Sequence, residues 1–490
     1  MITINGFLEK EDNYKILMFN YLNYLPTHRA SIFDIKESLD LSTFLLNKTY
    51  KNLKADIRYY ELDDYFDITI ENKTISLIKF TDITSGFLVA KYINNSNKYK
   101  YLKHCILEDI STTEQFAEKE FLSVTKSYYI RQSIDSYFSD KNISISSDLK
   151  LTGSEKDIRY FLYQFHYIYF TGMKYPFENK YRTFLDSFLE DMSPILGDNF
   201  TETQRIKLGY FLGFTFLRLK NGHPVKDKVN KKLVESNLSS DIYSYLIKFY
   251  RKHVDISTYE YFYEAQLMLI FLYIIDFPID EGALASLDKT YFDFAEVRNL
   301  NFDLVNSVEE CFHHDIKKSI PDKLKDEITK IHFKFLYFNH FYFPFYDHRR
   351  IQETEESFPD YSRIVNASIA NFYKRKSKYS LEMLKNLLFY DFFYAFVSHL
   401  PLSVLDRPVH VCVDFSYGTN YNTHIKRKVD SYDYLNLVVD DTLCDETDLY
   451  LTDINILNVK CRRLVWTNPP LQDDWQNFVS IVSAIKNNLR

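Results

Sequence analysis

Glycine is scarce in this chain, with only 10 among 490 residues. So few glycines argue against Gly-rich loops that cradle phosphates and against an all-β fold built on many tight turns. The catalytic patterns HExxH, GxSxG and GxxxxGK[ST] are missing as well. The sequence therefore predicts neither an enzyme nor a bound cofactor.

Cysteine is also sparse, and the five cysteines form no CxxC pair and no regular spacing. This usage is typical of a protein in a reducing compartment. One cluster of metal-ligand types, His313, His314 and Asp315 beside Cys311, lacks a second half elsewhere in the chain. A metal site normally needs three or four converging ligands, so we expect no metal.

Long apolar runs are missing too. The longest uncharged one, near Leu267–Ile275, is far shorter than the roughly 20 residues that cross a bilayer. It indicates a buried helix. The N-terminus lacks the basic-then-apolar pattern of a signal peptide. We therefore expect a cytoplasmic protein that does not associate with membranes.

The net charge is −7, so any contact with nucleic acid must come from a local basic surface. A chain of 490 residues is too long for one hydrophobic core, and about three to five domains are expected.

The N-terminal region, 1–80, is predicted to form a winged helix-turn-helix unit. Helical spacing covers Asn13–Leu25, the segment after Ser31, and Thr43–Tyr59, and a strand–turn–strand pattern spans residues 66–78. The third helix would read DNA. Its predicted DNA-binding residues are Ser42, Thr43, Asn47, Lys48 and Lys51. The alternative is a small structural helical domain.

A second helix-turn-helix is predicted at Ser111–Phe138. Ser111 or Thr112 would cap the first helix, and the reading helix would start at Val124 after a turn about two residues longer than usual. Its inward face would use Tyr129, Ile134 and Phe138. Its predicted DNA-binding residues are Thr125, Lys126, Ser127, Tyr128 and Arg131, with Gln132 also outside. The alternative is an ordinary helical hairpin with a solvated face.

Two all-helical modules follow, over about residues 180–290 and 297–400. From Pro408 onward, short apolar strands alternate with helices, which predicts a small parallel α/β sheet.

Residues 151–165, LTGSEKDIRYFLYQF, followed by YPFEN at 175–179, carry a Gly-x-Glu-x-x-Ile-Arg…Pro-Phe pattern. This run resembles the segment after the second helix-turn-helix in the Mga/AtxA family of virulence transcriptional regulators of Gram-positive bacteria. The segment RLKNGH at 218–223 extends the resemblance, which is weakest in the last third of the chain.

The resemblance implies a mainly α, multidomain fold and a DNA-binding transcriptional regulator, an activator, that works as a homodimer or higher homo-oligomer. The implied domains are a winged helix-turn-helix at 1–80, a second, Mga-type helix-turn-helix at 81–165, phosphotransferase-system (PTS) regulation domains (PRDs) at 166–292 and 293–402, and an EIIB-like domain at 403–490. Implied partners are double-stranded promoter DNA and the PTS phosphocarrier protein.

Regulation domains of this family can be phosphorylated on histidine. The expected positions fall near Arg205 and Leu387, which cannot accept phosphate there. The remaining candidates for phosphorylation are His223, His332 and His340. An active EIIB carries a nucleophilic cysteine in the loop after its first strand, whereas residues 415–419 contain none and Cys412 lies within the strand.

Two other functions stay open at this stage. A PTS-linked phosphocarrier component would share the helical and EIIB-like domains, but the missing cysteine and histidines count against it. An RNA-binding antiterminator would share the regulation domains, but it would begin with a small β-rich RNA-binding domain instead of helix-turn-helix units. A plain scaffold is the remaining alternative.

Overall fold

The structure is a computed structural model in which α-helices dominate the described residues, with a small parallel sheet near the C-terminus. It describes residues 6–81, 84–170, 180–197, 199–225, 241–279, 294–309, 320–338, 348–375, 379–402, 405, 407–455 and 459–489. The chain divides into two units, Met1–Phe294 with Lys334–Phe345 and Ala295–Phe333 with Tyr346–Arg490.

Three helices followed by a β-hairpin begin the first unit, as the sequence predicts, and a short strand that was not predicted adds a third strand to the antiparallel sheet. They are α1 (Lys10–Tyr24), β1 (Arg29–Ser31), α2 (Ile32–Leu39), α3 (Thr43–Tyr59), β2 (Phe66–Glu71) and β3 (Thr74–Lys79). The strand order is β1-β3-β2. Asn72 and Lys73 connect β2 to β3 with φ of 48° and 60°, the left-handed conformation that two-residue hairpin turns need.

Four helices and a short hairpin follow. They are α4 (Gly86–Asn95), α5 (Asn97–Leu107), α6 (Thr113–Lys119), α7 (Val124–Phe138), β4 (Ile143–Ile145) and β5 (Leu151–Gly153). β4 and β5 pair antiparallel. Gly153 ends the hairpin with φ of 128°, and a Cβ there would collide with the carbonyl oxygen of Asn142. Only glycine fits this position.

Five more helices follow in the described part of the first unit. They are α8 (Glu155–Phe170), α9 (Lys180–Leu196), α10 (Glu202–Lys220), α11 (Asp241–His253) and α12 (Thr258–Ile274). Residues 261–273 of α12 are all buried, and most of them are apolar or aromatic, as is typical of a helix in the interior of a helical domain. Phe211 and Phe271 stack with ring centroids 3.8 Å apart where α10 meets α12. Within the described residues, no helix is long and apolar enough to cross a membrane.

A buried ion-pair network ties the second helix-turn-helix to these helices. Arg159 on α8 donates through both terminal nitrogens to Glu264 on α12, and neither side chain is exposed. Glu155 accepts from Arg159 at 2.9 Å and from Arg218 at 2.8 Å. Arg218 also lies 3.3 Å from Glu108, the residue that ends α5. The network thereby joins α5, α8, α10 and α12.

Helices also begin the second unit, and α/β structure ends it. The helices are α13 (Phe294–Glu309), α14 (Asp322–Phe338), α15 (His348–Ser357), α16 (Pro359–Arg375) and α17 (Leu381–His399). The first residue of α13 and the last turn of α14 belong to the first unit. Tyr361 fastens α16 to the end of α17, since its hydroxyl donates to the carbonyl oxygen of Leu400 at 2.7 Å.

The C-terminal region has the predicted parallel sheet. Its elements are β6 (Val409–Asp414), α18 (Thr419–Asp430), β7 (Leu437–Asp440), β8 (Leu449–Thr452), β9 (Arg462–Val465) and α19 (Gln472–Leu489). The strand order is β7-β6-β8-β9, and all three pairings are parallel. Trp466 and Trp475 meet edge to face, with ring centroids 4.6 Å apart, in the core under α19. The division of the whole chain into five domains stays a prediction.

The buried network yields a stability prediction. Glu264→Gln should lower the free energy of unfolding by about 3 kcal/mol, because it leaves the buried Arg159 guanidinium without its main counter-charge. Urea unfolding followed by far-UV circular dichroism measures this change. Glu190→Gln is the matched control, since Glu190 is exposed on α9, and it should change stability by less than about 0.5 kcal/mol. Equal changes in the free energy of unfolding for the two substitutions would contradict the predicted contribution of the Arg159–Glu264 pair to stability.

Candidate nucleic-acid interface

The two helix-turn-helix units have the same backbone arrangement, at a constant offset in the sequence. From here on, the first unit means the segment from α1 to β3, and the second unit means the segment from α4 to β5. Ser31 caps α2 and Thr112 caps α6, while Ser42 caps α3 and Ser123 caps α7. Each cap hydroxyl accepts from a backbone N–H at 3.1 to 3.2 Å. The offset from Ser31 to Thr112 equals the offset from Ser42 to Ser123. The two reading helices, α3 and α7, therefore start at the same number of residues after the cap of the helix that precedes each of them.

The turns between the helices match as well. Asp40 and Phe121 adopt left-handed φ values of 50° and 54°. The next residue donates its N–H backward into the first helix, Leu41 to Lys36 and Leu122 to Ala117, in both units. Residues 120–123 therefore form a four-residue turn, within the usual length for this motif. The predicted lengthening of the second turn by about two residues is wrong.

The reading helices bury the same four positions. These are the fourth, seventh, eleventh and fifteenth residues, namely Leu46, Thr49, Leu53 and Ile57 in α3 and Ser127, Ile130, Ile134 and Phe138 in α7. Ser127 is fully buried, so its predicted outward position is wrong. Tyr129 is 72% exposed, so its predicted inward position is wrong too. The cause is the cap at Ser123, which puts Ile130 rather than Tyr129 in register with Ile134.

The first reading helix presents the side chains that the sequence predicts. Thr43, Asn47, Lys48 and Lys51 are exposed. Among the described residues, Asn47 and Lys51 have no side-chain hydrogen bond or ion pair. The Lys48 ammonium lies 2.6 Å from a Glu11 carboxylate oxygen, at a site where both side chains are largely exposed. Such a pair is weak and can be exchanged for a phosphate.

Ser42 is exposed as well, but its hydroxyl has a different task. It accepts the N–H of Leu45 at 3.2 Å as the cap of α3. Its lone pairs are partly committed to the helix end, so its first role is to fix where α3 begins.

Four side chains of the second reading helix are exposed, as the sequence predicts. Thr125 and Lys126 are exposed, and the Lys126 ammonium has no partner among the described residues. Tyr128 is half-exposed, and its hydroxyl donates to a Glu114 carboxylate oxygen at 2.6 Å. This hydrogen bond raises the pKa of the Tyr128 phenol and lowers the pKa of Glu114. Gln132 is exposed, as predicted.

Arg131 holds the hairpin against the reading helix. Its guanidinium donates to the carbonyl oxygens of Ser146 at 3.0 Å and Ile145 at 3.5 Å, and it lies 3.6 Å from Asp135. The side chain is only partly exposed. Its predicted outward position is therefore wrong, because the carbonyls of the turn after β4 offer this cation a closer site.

Several other cations of the two units are paired within the protein. The pairs are Lys15 with Asp12 and Asp56, Lys54 with Asp67, Lys100 with Glu120, and Lys119 with Asp109. Paired charges attract phosphates less strongly than free ones. The electrostatic attraction for DNA must therefore come mainly from the cations that lack such partners.

The candidate histidines differ in access. His332 is buried, its Nδ1 lies 2.7 Å from Asn301 Oδ1, and burial lowers its pKa to about 3. Because its side chain is buried, a phosphate donor cannot reach the His332 ring in this structure. His223 is partly exposed beside a cavity of about 350 Å³, with Nε2 2.7 Å from a Glu108 carboxylate oxygen. His340 lies outside the described residues, as do Cys311 and the neighbouring His313, His314 and Asp315.

The hydrogen-bond donors of Ser416, in the loop after β6, are bound to another side chain of the protein. Asp453 accepts from the Ser416 N–H at 2.9 Å, from the Ser416 hydroxyl at 2.5 Å, and from the Asn468 amide at 2.7 Å. Cys412 is buried in β6, and burial raises the pKa of its thiol to about 11. The Asp453 carboxylate therefore accepts the hydrogen bonds that the loop after β6 could otherwise donate to a phosphate. The Cys412 thiol is buried with a raised pKa, which makes it a poor nucleophile.

Comparison with known families identifies the second unit. Residues 82–166 match the family model described as the Mga helix-turn-helix domain. No curated protein matches the chain. This domain type indicates a DNA-binding transcription regulator and belongs to no enzyme class. The match covers α4 to α7, the β4–β5 hairpin and the first twelve residues of α8, and it includes the turn and reading helix described above.

Three exposed aromatic side chains at the reading helices were missed by sequence reasoning. Phe44 on α3 is 79% exposed, and Phe121 in the second turn is 96% exposed. Tyr129 is the third. The constant offset between the caps of the two units was the missed signal, because it transfers the clear register of α3 to α7.

Ser127→Ala tests the corrected register. The buried Ser127 hydroxyl has no hydrogen-bond partner among the described residues, so its removal should stabilise the protein by about 1 kcal/mol and leave DNA affinity unchanged. Thermal unfolding and DNA titration measure the two effects. Ser136→Ala, at an exposed site on the same helix, should stabilise less. A large loss of DNA affinity in Ser127→Ala would contradict the register.

Proposed function

We propose that this chain is a transcriptional activator of the Mga/AtxA type that binds promoter DNA through both N-terminal helix-turn-helix units. The observation that carries the proposal is the shared register of α3 and α7. Two capped reading helices with the same buried positions present the same outward positions, and the second belongs to a segment that matches a helix-turn-helix domain.

The first unit supplies the polar reading surface. Asn47 can pair with the major-groove edge of adenine, and Lys48 and Lys51 can contact guanine or phosphates. Thr43 lies in the first turn of α3, where reading helices contact base edges. Ser42 orients this turn as its cap.

The second unit supplies Thr125, Lys126 and Tyr128. Lys126 is its free cation on the reading helix, and the Thr125 hydroxyl is free to contact a base edge or a phosphate. Ser127 and Arg131 are left out of this surface. Ser127 supports it from inside, and Arg131 fixes the hairpin beside it.

The remaining regions act as sensory and oligomerisation domains in this proposal. The helices from α9 to α17 would form the two PTS-regulation domains, and the α/β region an EIIB-like scaffold within a homodimer or larger homo-oligomer. Of the described histidines that were considered for phosphorylation, His223 is the accessible one, so it is where the PTS phosphocarrier protein would act. The Asp453 contacts and the buried Cys412 disfavour a phosphocarrier enzyme.

Salt-dependent DNA binding tests this function. Wild type should bind duplex DNA with an affinity that falls as salt rises. Lys51→Ala and Lys126→Ala should each weaken binding on all sequences and lower the slope of log K against log salt by about one. Fluorescence anisotropy over a salt series measures both quantities.

Lys119→Ala is the matched control for the lysine variants. Lys119 is the last residue of α6, outside both reading helices, and its ammonium pairs with Asp109 at 2.8 Å, so its loss should leave the salt slope unchanged. If wild type binds no duplex at low salt, the proposed function is wrong. If all three variants behave alike, the two reading helices do not carry the phosphate contacts.

A further inference from the structure

The second turn carries an unusual residue at its left-handed position. Phe121 has φ of 54° and is 96% exposed. A bulky side chain rarely adopts this conformation, which glycine adopts without strain and which aspartate or asparagine tolerates. The equivalent residue of the first unit is Asp40. Phe121 thus combines backbone strain with exposure of a large apolar ring, and such an outlier points to a function.

Two further apolar or aromatic side chains are exposed on the first half of α7. Val124 is 47% exposed and Tyr129 is 72% exposed. The first unit has Thr43 and Lys48 at the equivalent positions. We call Phe121, Val124 and Tyr129 the apolar edge. At three matched positions, the first unit is polar or charged where the second is apolar or aromatic.

We propose that the apolar edge contacts the 5-methyl groups of thymines in the major groove, so that the second unit selects T-containing steps by shape and apolar contact. The inference rests on the proposed function, because it assumes that α7 enters DNA. The thymine methyl is the one apolar group that a base pair presents in the major groove. Its members lie in the turn before α7 and among the first six residues of α7, and the N-terminal part of a reading helix is the part that contacts base edges.

The surroundings of the edge favour DNA over an apolar protein surface. Thr125, Lys126 and Gln132 are exposed between and beside its members. A hydroxyl, an ammonium and an amide at these places match phosphates and base edges. A protein partner would have to bury the free Lys126 ammonium at a substantial cost.

Replacing thymine by uracil in a selected duplex removes the methyl group alone. Wild type should lose affinity roughly fourfold for each methyl that it contacts, the fold-change expected for one buried methyl group. Tyr129→Ala should bind the thymine duplex more weakly and should lose most of its preference for thymine over uracil. Tyr59→Ala, which removes a tyrosine that is 77% exposed at the far end of α3, is the control and should keep the preference.

Phe121→Gly separates binding from folding. It should raise the thermal unfolding temperature, because glycine relieves the left-handed strain, and it should lower both DNA affinity and the thymine preference. A weaker, less stable variant would indicate that Phe121 is structural and would contradict its place in the edge.

The outcomes distinguish this inference from the proposed function. If wild type binds DNA with equal affinity for thymine and uracil duplexes, the apolar edge does not read methyl groups, while DNA binding stands. If no duplex binds, the proposed function fails first. If the edge variants keep DNA binding but lose self-association in sedimentation velocity, the edge is a protein interface and the inference is overturned.

Discussion

A serine cap followed by buried residues at positions four, seven, eleven and fifteen determines the orientation of each reading helix. The cap hydroxyl fixes where the helix begins, and the buried side chains fix which face turns toward the core. This constraint decides which side chains of each reading helix are available for contact with DNA. It turns Asn47 and Lys51 outward in the first unit and Tyr129 outward in the second, and it removes Ser127 from the surface.

The two helix-turn-helix units have the same backbone arrangement but expose different kinds of side chain. The first unit exposes an amide and lysines, which suit polar base edges and phosphates. In the second unit, Arg131 binds the unit's own hairpin, and α7 exposes hydroxyl, amide and aromatic groups around Lys126, the free lysine of this helix. A chain of net charge −7 that pairs many of its local cations cannot rely on long-range attraction to DNA. Its specificity would therefore arise from close contacts. The buried network around Arg159 and Glu264 connects the second of these units to the helices that follow.

Local patterns predicted much of this architecture. Helix caps, the hairpin of the first unit and the alternation of strands and helices after Pro408 follow from spacing over a few residues, and the structure contains each of them. The register of α7 was harder, because Ser127 is polar and Tyr129 is aromatic, so composition alone favoured the wrong face. Without the cap at Ser123 as a reference, either residue could be placed inside.

Contacts between distant residues could not be predicted. Lys48 meets Glu11 across 37 residues, and Arg159 meets Glu264 across 105. Arg131 finds its carbonyl partners in a turn 14 and 15 residues away. Such pairs decide which cations stay free for phosphates, and no periodicity in a single sequence reveals them. The burial of His332 depends in the same way on helices packed around it.

Site-specific photocrosslinking tests the central claim, that both reading helices face DNA, most directly. A photoreactive phenylalanine analogue would replace Phe44, Tyr129 or, as a control, Tyr394, which is 61% exposed on α17. Crosslinks to a bound duplex are expected from positions 44 and 129 and not from position 394. Bound DNA that crosslinks to neither 44 nor 129 would contradict it.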